Sequence, residues 1–242
     1  MTARSQPLAR SRARPLLEVC VESFDDALVA IAGGADRIEY CSALAVGGLT
    51  PTPGALMRLR EISAPCMVMI RPRPGHFIFD GTEIEIMKRE IDFARDCGAA
   101  GIVIGAAKPD GTLDRDALAD LLSVCAGVQT TLHRVFDATP DPFEALDTAI
   151  DLGFDRILTS GQRDDALAGS RLIGELIEKS AGRLEILPGA GVTADNAVQI
   201  LNQTGAGGLH ASCKIVVTGR GYAAGRVATD IECVRALKIA MA

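Results

Sequence analysis

Short apolar runs alternate with longer amphipathic stretches along almost the whole chain. The runs are rich in aliphatic and β-branched residues, as buried strands of a parallel sheet are, and the stretches repeat apolar residues at helical spacing. This pattern predicts strands at residues 16–20, 37–41, 67–71, 101–104, 130–134, 156–159, 184–187 and 208–211. It predicts helices at residues 24–32, 54–62, 83–97, 115–125, 143–152, 167–180, 196–203 and 231–240.

A glycine recurs at the junction between a helix and the next strand. It stands at Gly34, Gly98, Gly153 and Gly205, each time after an apolar-periodic helix, where a left-handed cap favours glycine. Successive copies lie roughly 50–65 residues apart, about twice the length of one strand–helix unit, so one unmarked unit lies between each pair. Eight strands that alternate with eight helices predict a (β/α)8, TIM-barrel-like fold of the α/β class.

The predicted barrel forms a single domain, residues 15–242. An open doubly wound sheet is the alternative arrangement of the same elements. However, no strand is followed by the G-x-G-x-x-G sequence of a dinucleotide crevice, and the strand–helix repeat continues evenly to the last predicted helix. We therefore favour the barrel and expect no nucleotide cofactor.

The composition agrees with such a barrel. Of the 242 residues, 48% are hydrophobic and 23% are charged, as in ordinary globular proteins. With no tryptophan and 4% aromatic residues, the core must be filled mainly by aliphatic side chains. The net charge of -6 argues against a nucleic-acid partner, and no apolar stretch reaches the roughly 18 residues that a membrane span needs.

The first residues and the cysteines bear on the location of the protein. Residues 1–14 carry four arginines and no acid, which predicts a flexible basic tail; a mitochondrial-type targeting segment is the alternative. The seven cysteines are isolated, without CxxC spacing. Their odd number, in a chain without a secretory signal, favours reduced thiols in a cytoplasmic protein.

Two strands repeat a carboxylate-x-thiol pattern. Because side chains alternate along a strand, Glu18 and Cys20 share one face of the first strand, and Glu39 and Cys41 share one face of the second. Alignment of the glycine-marked copies directs one phase of each strand toward the barrel axis. The residues of this phase are Glu18, Cys20, Glu39, Cys41, Met67, Met69, Arg71, Val103, Gly105, Thr131, His133, Leu158, Ser160, His210 and Ser212. The opposite phase is mostly apolar, as a helix-covered face requires.

Polar residues collect at the C-terminal strand ends, where barrel active sites form. Arg71 and Arg73 begin a stiff, proline-containing loop and could clamp a carboxylate or phosphate. His133 offers a general acid or base, with Asp137 to orient it. Further candidate substrate-binding residues are Arg134, Ser160, Gly189, His210 and Ser212. The alternative is that these groups form hydrogen-bonded pairs that only close the barrel mouth.

The sequence resembles the CutC copper homeostasis family from residue 17 to about residue 212. The motifs that carry the resemblance are Glu18-Val19-Cys20, Gly33-Gly34-Ala35-Asp36-Arg37-Ile38-Glu39, Gly47-Gly48-Leu49-Thr50-Pro51, Met69-Ile70-Arg71-Pro72-Arg73, His133-Arg134, Phe136-Asp137, Leu158-Thr159-Ser160-Gly161-Gln162 and Pro188-Gly189. The resemblance implies a TIM-barrel-like protein of the cytosol that is linked to copper handling, with Cu(I) bound at the thiols of Cys20 and Cys41. Tyr40, Ala190 and residues 211–214 depart from the family pattern, and the added methyl groups make the turns after strands seven and eight less open to an anion.

Two functions stay open. In the first, Cys20 and Cys41 lie on adjacent parallel strands, whose spacing of about 4.8 Å brings two sulfurs close enough for two-coordinate Cu(I). Met67 and Met69 could add thioether donors. In the second, the chain is an enzyme that acts on a small anionic, phosphorylated or sugar-like, substrate.

In the enzyme hypothesis, Glu18 and Glu39 are the acid and the base, because two carboxylates in one partly buried mouth push their pKa values apart. Arg71 and Arg73 hold the anion, and His133 carries a proton. The structural alternatives are ion pairs inside the barrel for the glutamates and plain burial for the cysteines. A third class is an interaction protein that uses the outer surface of the barrel, and homo-oligomer formation is left open.

Overall fold

The computed structural model describes residues 14–217 and 226–242, so the predicted basic tail lies outside the described residues except for Arg14. The central sheet consists of β1 (Leu16–Val21), β2 (Arg37–Tyr40), β3 (Cys66–Met69), β4 (Gly101–Ile104), β5 (Gln129–Leu132), β6 (Arg156–Thr159), β7 (Glu185–Pro188) and β8 (Gly208–Ala211). The helices are α1 (Phe24–Gly33), α2 (Pro53–Leu56), α3 (Gly81–Asp96), α4 (Arg115–Ser123), α5 (Pro142–Leu152), α6 (Ser170–Ser180), α7 (Ala194–Thr204) and α8 (Ile231–Ala240). None of these helices is long and apolar enough to cross a membrane.

The strands surround a common axis in chain order. Neighbours from β1 to β7 pair in parallel, and β8 pairs with the other edge of β1. β7 and β8 lie side by side, which leaves the barrel nearly closed. The helices pack against the outside of this sheet. The predicted (β/α)8, TIM-barrel-like fold is thereby confirmed.

Left-handed glycines end the helices where the sequence predicts. Gly34 ends α1 with a φ of 105°, and its N–H donates to the carbonyl oxygens of Ala30 and Ile31. Gly153 ends α5 in the same way with a φ of 83°. Because a side chain would strain this region of backbone conformation, glycine fixes where each helix stops and the next strand begins.

The predicted helix at residues 54–62 is wrong in its length. The structure has one turn of α-helix, α2, followed by a 3₁₀ turn at Leu59–Glu61. Leu56, Leu59 and Ile62 are buried and recur at every third position, which a 3₁₀ turn places on one face. Burial of these three side chains therefore favours the tighter winding.

Two separate sets of buried apolar side chains confirm the predicted phase of the strands. Ile38 and Tyr40 of β2 belong to the main core between the sheet and the helices. A second cluster, inside the barrel, consists of Cys41, Met67, Met69 and Val103. The phase that carries Glu39 and Cys41 therefore faces the barrel axis.

An antiparallel hairpin lies between β8 and α8, where no strand is predicted. It consists of β9 (Lys214–Val217) and β10 (Arg226–Thr229). The β-branched run Ile215-Val216-Val217 carries a strand signal, although its side chains are exposed. Lys214, at the base of the hairpin, reaches the barrel mouth.

Candidate functional site

A cavity of about 540 Å³ opens inside the barrel at the C-terminal ends of the strands. The predicted site residues that line it are Cys20, Glu39, Arg71, His133, Arg134, His210 and Ser212. Much of the remaining wall is apolar, with Leu44, Met69, Phe77 and Leu158 among the lining side chains. A cavity of this size, with apolar walls and a few convergent polar groups, is typical of a small-ligand site.

Other predicted site residues lie behind this wall. They are Glu18, Cys41, Arg73, Asp137, Ser160 and Gly189. Each of them contacts a lining residue or a loop of the mouth instead. These residues therefore support the site rather than line it.

Glu18 holds His210 from behind. Its Oε1 lies 2.8 Å from His210 Nδ1, and its Oε2 accepts a hydrogen bond from Arg37 Nε. Burial alone would raise the pKa of Glu18, but the hydrogen bond from His210 and the charge of Arg37 outweigh burial and lower this pKa to about 2. Glu18 is therefore an ionised partner of His210 at neutral pH and does not serve as a proton donor.

His210 turns its second nitrogen toward Glu39. With Nδ1 held by Glu18, His210 Nε2 lies 3.7 Å from Glu39 Oε2. Burial lowers the pKa of His210, but the charge of Glu39, the Cys20 thiol and the hydrogen bond to Glu18 outweigh burial and raise this pKa well above its usual value. The imidazole is thus fixed in orientation by one carboxylate while it faces a second.

Cys20, Glu39 and His210 form one compact group of donor atoms. Each residue offers one atom, a sulfur, a carboxylate oxygen or an imidazole nitrogen, and these atoms lie within 4.8 Å of one another. Cys20 pairs with Glu39 in the β1–β2 register, and Glu18 pairs with His210 in the β1–β8 register. Strand pairing therefore fixes the relative positions of these three residues. A thiolate and an imidazole together suit a soft metal ion.

Cys41 stands apart from this group, which does not include it among the described residues. Its Sγ donates to Glu39 Oε2 at 3.6 Å and otherwise packs with Met69 and Leu44. Burial and the charge of Glu39 raise the pKa of Cys41 well above its usual value. The two cysteines that were predicted as a pair thus have different surroundings.

Glu39 has one carboxylate oxygen without a hydrogen-bond partner. The residue is 3% exposed, and its Oε1 makes no hydrogen bond to any described residue. Burial raises the pKa of Glu39 despite the neighbouring charge of His210. The pKa values of Glu18 and Glu39 are therefore shifted in opposite directions, and the main causes are burial for Glu39 and the contacts with His210 and Arg37 for Glu18.

Of the two arginines predicted to clamp an anion, Arg71 lines the cavity and Arg73 does not. Arg71 is 4% exposed, and its guanidinium donates to backbone carbonyl oxygens of two loops. Arg73 pairs with Glu83 in the first turn of α3 and donates to the carbonyl oxygen of His76 at 2.8 Å. Arg73 therefore fixes its own loop, and a clamp of two arginines does not form.

The prediction that Asp137 orients His133 is wrong. Asp137 accepts a hydrogen bond from the backbone N–H of Ser160 at 3.0 Å and another from Arg134 Nε at 2.7 Å. It therefore ties the turn after β5 to the loop after β6. His133 Nδ1 instead accepts a hydrogen bond from the backbone N–H of Val135 at 3.1 Å.

Gly189 and Ser160 shape the mouth from behind. A Cβ on Gly189 would lie 2.7 Å from Leu158 Cδ1 and 3.2 Å from His210 Cβ, so the absence of a side chain gives these two residues their room. Ser160 is fully buried, and its Oγ accepts a hydrogen bond from Arg134 Nη2 at 2.8 Å. Both residues act on the site through its lining side chains.

Arg37 and Phe77 belong to the site but are not among the predicted residues. Arg37 opens β2 and hydrogen-bonds Glu18, and its inward phase in the strand was the signal that could have found it. The Phe77 ring centroid lies 4.8 Å from that of His133 and 4.7 Å from Arg71 Cζ. Phe77 comes from a loop, where no periodicity marks which side chain faces a site.

Comparisons with known proteins point to one family. The family model described as the CutC family matches residues 15–215. A CutC family protein of Rhizobium meliloti strain 1021 is 48% identical over 197 residues, 81% of this chain and 80% of that protein. The human copper homeostasis protein cutC homolog is 45% identical over 200 residues, 82% of this chain and 73% of that protein.

Solved structures agree with the sequence matches. CutC from Streptococcus agalactiae superposes with a TM-score of 0.78 at 32% identity, covering 82% of this chain and 98% of that one. N-(5'-phosphoribosyl)anthranilate isomerase from Pyrococcus furiosus superposes with a TM-score of 0.56 at 13% identity, covering 94% and 98% of the two chains, and shares the fold alone. Since the family model spans most of the sequence and the relatives match over the same barrel, the chain belongs to the CutC copper homeostasis family.

Proposed function

We propose that this chain binds Cu(I) at the barrel mouth through Cys20, together with His210 and Glu39. The observation that carries the proposal is the compact group of one sulfur, one imidazole nitrogen and one carboxylate oxygen within 4.8 Å of one another. Soft thiolate and imidazole ligands suit Cu(I). The copper homeostasis family to which the chain belongs supports this choice of metal ion.

The surroundings of His210 support a role as a metal ligand. Histidines that bind metals commonly donate their other ring N–H to a carboxylate, which fixes the tautomer and the orientation of the ring. Glu18 occupies that position 2.8 Å from His210 Nδ1, and Arg37 in turn hydrogen-bonds Glu18. His210 Nε2 therefore faces the other two members of the compact group, Cys20 and Glu39.

Cys41 enters the proposal as an auxiliary thiol. Its sulfur donates to Glu39 Oε2 at 3.6 Å, so Cys41 contacts the compact group through Glu39 without belonging to it. The resemblance on which the sequence prediction rests implies that both thiols bind copper. We expect Cys20 to contribute more to copper affinity than Cys41, because Cys20 lines the cavity and belongs to the donor group.

Titration of Cu(I) into the reduced protein against a competing chelator tests this proposal. We expect the wild type to take up Cu(I), Cys20→Ser to lose more than tenfold in affinity, and Cys41→Ser to lose less. Cys233→Ser on the exposed side of α8 is the matched control and should bind as the wild type does. A wild type that binds no Cu(I), or a Cys20→Ser/Cys41→Ser double variant that binds unchanged, would contradict the proposal.

We also propose that the protein resides in a reducing compartment such as the cytoplasm. Cu(I) binding by thiolates requires reduced cysteines, which the cytosol maintains. All seven cysteines lie among the described residues, and each is a free thiol. Localisation of a tagged full-length chain by fractionation checks this part, with recovery in an oxidising compartment as the contrary result.

A second candidate function, catalysis on a small anionic substrate, is favoured by one observation. Glu39 lines the cavity, and its buried Oε1 has no hydrogen-bond partner within residues 14–217 and 226–242, which favours Glu39 as the group that accepts a proton from a substrate. Incubation with phosphorylated and sugar-like anions, followed by NMR, tests for turnover. Turnover by the wild type that Glu39→Gln abolishes would support catalysis, and an unchanged Glu39→Gln variant would exclude Glu39 from it.

A further inference from the structure

Arg71 is a buried charge without a counter-ion. Its Nη1 donates to the carbonyl oxygens of Val46 at 2.8 Å and Gly48 at 3.2 Å, and its Nη2 donates to that of Gly75 at 2.7 Å. These carbonyls hold the guanidinium in place but carry no negative charge. Within residues 14–217 and 226–242, Arg71 Nε has no hydrogen-bond acceptor and no carboxylate pairs with the guanidinium.

An isolated buried cation is costly unless something compensates it. The charge that acts on Arg71 is that of Arg73, another cation, and burial together with Arg73 lowers the pKa of Arg71. The loops around Arg71 thus offer it carbonyl dipoles and the ring of Phe77. Among the described residues, no carboxylate balances its charge.

His133, which also lines the cavity, carries a second buried donor without a partner among the described residues. Because a backbone N–H can only donate, the hydrogen bond from Val135 N–H to His133 Nδ1 makes Nδ1 an acceptor and places the proton of the neutral ring on Nε2. Burial and the charge of Arg71 lower the pKa of His133 to about 3, so the ring is neutral at physiological pH. His133 is 3% exposed, and its Nε2 has no partner among the residues that the structure describes.

Phe77 links the two donors. Its ring centroid lies 4.7 Å from Arg71 Cζ and 4.8 Å from the ring centroid of His133. Arg71, His133 and Phe77 all line the cavity at the barrel mouth. The His133 ring is also fixed by packing, since a Cβ on Gly105 would lie 2.3 Å from its Cε1. The two N–H groups therefore belong to one rigid wall.

We propose that this wall binds the carboxylate of a small organic acid, with Arg71 supplying the charge and Nε–H and with His133 supplying Nε2–H. Hydrogen bonds that involve an ionised partner are the strong ones, and neither donor has an acceptor among the described residues. The apolar side chains of Leu44, Met69 and Leu158 leave the rest of the cavity suited to the carbon skeleton of the acid.

The charge of the wall that Arg71, His133 and Phe77 form favours a monoanion, since His210 and Glu39, which also line the cavity, interact with each other and with Glu18. Arg71 contributes one uncompensated positive charge, and His133 is neutral. Arg134 already pairs with Asp137, and Lys214 is exposed at the rim. A carboxylate would balance the buried charge, whereas a phosphate dianion would leave a negative charge buried in its place.

This ligand differs from the copper ion, and the inference does not depend on copper binding. If correct, it narrows the catalytic alternative to substrates that carry a carboxylate and disfavours the phosphorylated ones. A protein kept free of metal by a chelator therefore provides the test. The outcome of the Cu(I) titration therefore neither supports nor contradicts carboxylate binding.

The test on the unmodified chain compares benzoate with its neutral isostere benzamide and with phenyl phosphate by isothermal titration calorimetry. We expect benzoate to bind at least about tenfold more tightly than benzamide, because a charged hydrogen bond is lost in the amide. We expect phenyl phosphate to bind more weakly than benzoate. Equal binding of benzoate and benzamide, tighter binding of phenyl phosphate, or no binding of benzoate would each overturn the proposal.

Two variants locate the effect. Arg71→Gln should weaken benzoate binding by about tenfold to a hundredfold and abolish the preference over benzamide. Arg171→Gln, a matched change at an exposed arginine of α6, should leave both affinities as in the wild type. If Arg71→Gln binds benzoate as the wild type does, the proposal is wrong. If this variant does not fold, the wild-type comparison of benzoate with benzamide decides.

Discussion

The lower and upper halves of the barrel interior treat buried charge in opposite ways. In the lower half, near the N-terminal strand ends, Arg37 pairs with Glu18, and Arg156 pairs with Glu185. In the upper half, at the mouth, Arg71 has no carboxylate partner among the described residues. Arg37 and Arg71 are almost equally buried, at 5% and 4% exposure. Depth of burial therefore does not distinguish the halves, but a carboxylate partner does, even though Arg37 Nη2 has no hydrogen-bond acceptor among the described residues.

This difference separates a structural role from a ligand-binding one. A buried ion pair whose partners satisfy each other needs nothing further, and removal of one partner leaves the other exposed to the full cost of burial. Buried polar groups without partners are rare in folded proteins, and each one calls for a reason. Three of the six such side-chain atoms among the described residues belong to Glu39, Arg71 and His133, which line the cavity, and this supports the proposal that a ligand completes the site.

Substitution of arginine by methionine in each half should have the largest difference in effect on stability. Arg37→Met leaves Glu18, which is 2% exposed, without its guanidinium partner, and we expect the free energy of unfolding to fall by about 3 kcal/mol. Arg71→Met leaves no described carboxylate without its partner and removes hydrogen bonds to loop carbonyls and the contact with the Phe77 ring, so we expect a loss of about 1 kcal/mol. Urea unfolding at neutral pH measures both. Equal losses, or a larger loss for Arg71→Met, would show that pairing does not distinguish the halves.

Low pH should reduce the stability of the fold through protonation of His133 at the mouth. The pKa of His133 is lowered to about 3 by burial and by the charge of Arg71. Between this pKa and the unfolded value of about 6.5, the unfolded chain binds a proton that the folded chain does not, so stability falls as pH falls. We expect His133→Asn to remove about 1 kcal/mol per pH unit of this dependence between about pH 6 and pH 4.

The measurement is the midpoint of urea unfolding as a function of pH. His76→Asn, at an exposed position of the loop after β3, is the matched control and should follow the wild type throughout. Parallel pH profiles for the wild type and His133→Asn would mean that His133 is not held neutral in the mouth.

Close packing behind two lining residues of the mouth provides a further test. In Gly189→Ala the new Cβ would lie 2.7 Å from Leu158 Cδ1 and 3.2 Å from His210 Cβ, and we expect a loss of about 2 kcal/mol with weaker Cu(I) binding. Gly207→Ala is the control, because nothing lies within 4 Å of its Cβ, and it should change stability by less than about 0.5 kcal/mol. Thermal unfolding of both variants measures these losses. If Gly189→Ala is as stable as the wild type, this packing does not hold His210.

The barrel and the direction of its strands could be predicted because their signals are local. Side-chain alternation identified the inward phase of Glu39 and Cys41, and glycines such as Gly34 marked where helices end. Both features follow from backbone geometry over a few residues. The inward phase was sufficient to bring Cys20, Glu39 and His210 to one cavity.

The partners of residues in loops could not be predicted in this way. Arg73 and Asp137 follow strand ends as Arg71 and His133 do, but they fold back onto Glu83 and onto the loop after β6. Which way such a side chain turns depends on backbone turns that have no periodic signal. Cys41 shows the same limit, since a shared strand face did not place it in the group with Cys20.

X-ray absorption at the copper edge of the Cu(I)-loaded protein tests the central claim most directly, namely that Cys20 and His210 together hold copper at the mouth. We expect the ligand scattering to require both sulfur and nitrogen or oxygen, with the imidazole contribution absent in His210→Ala. Scattering from two sulfurs alone, which Cys20 with Cys41 would give, and an unchanged spectrum in His210→Ala would contradict the claim.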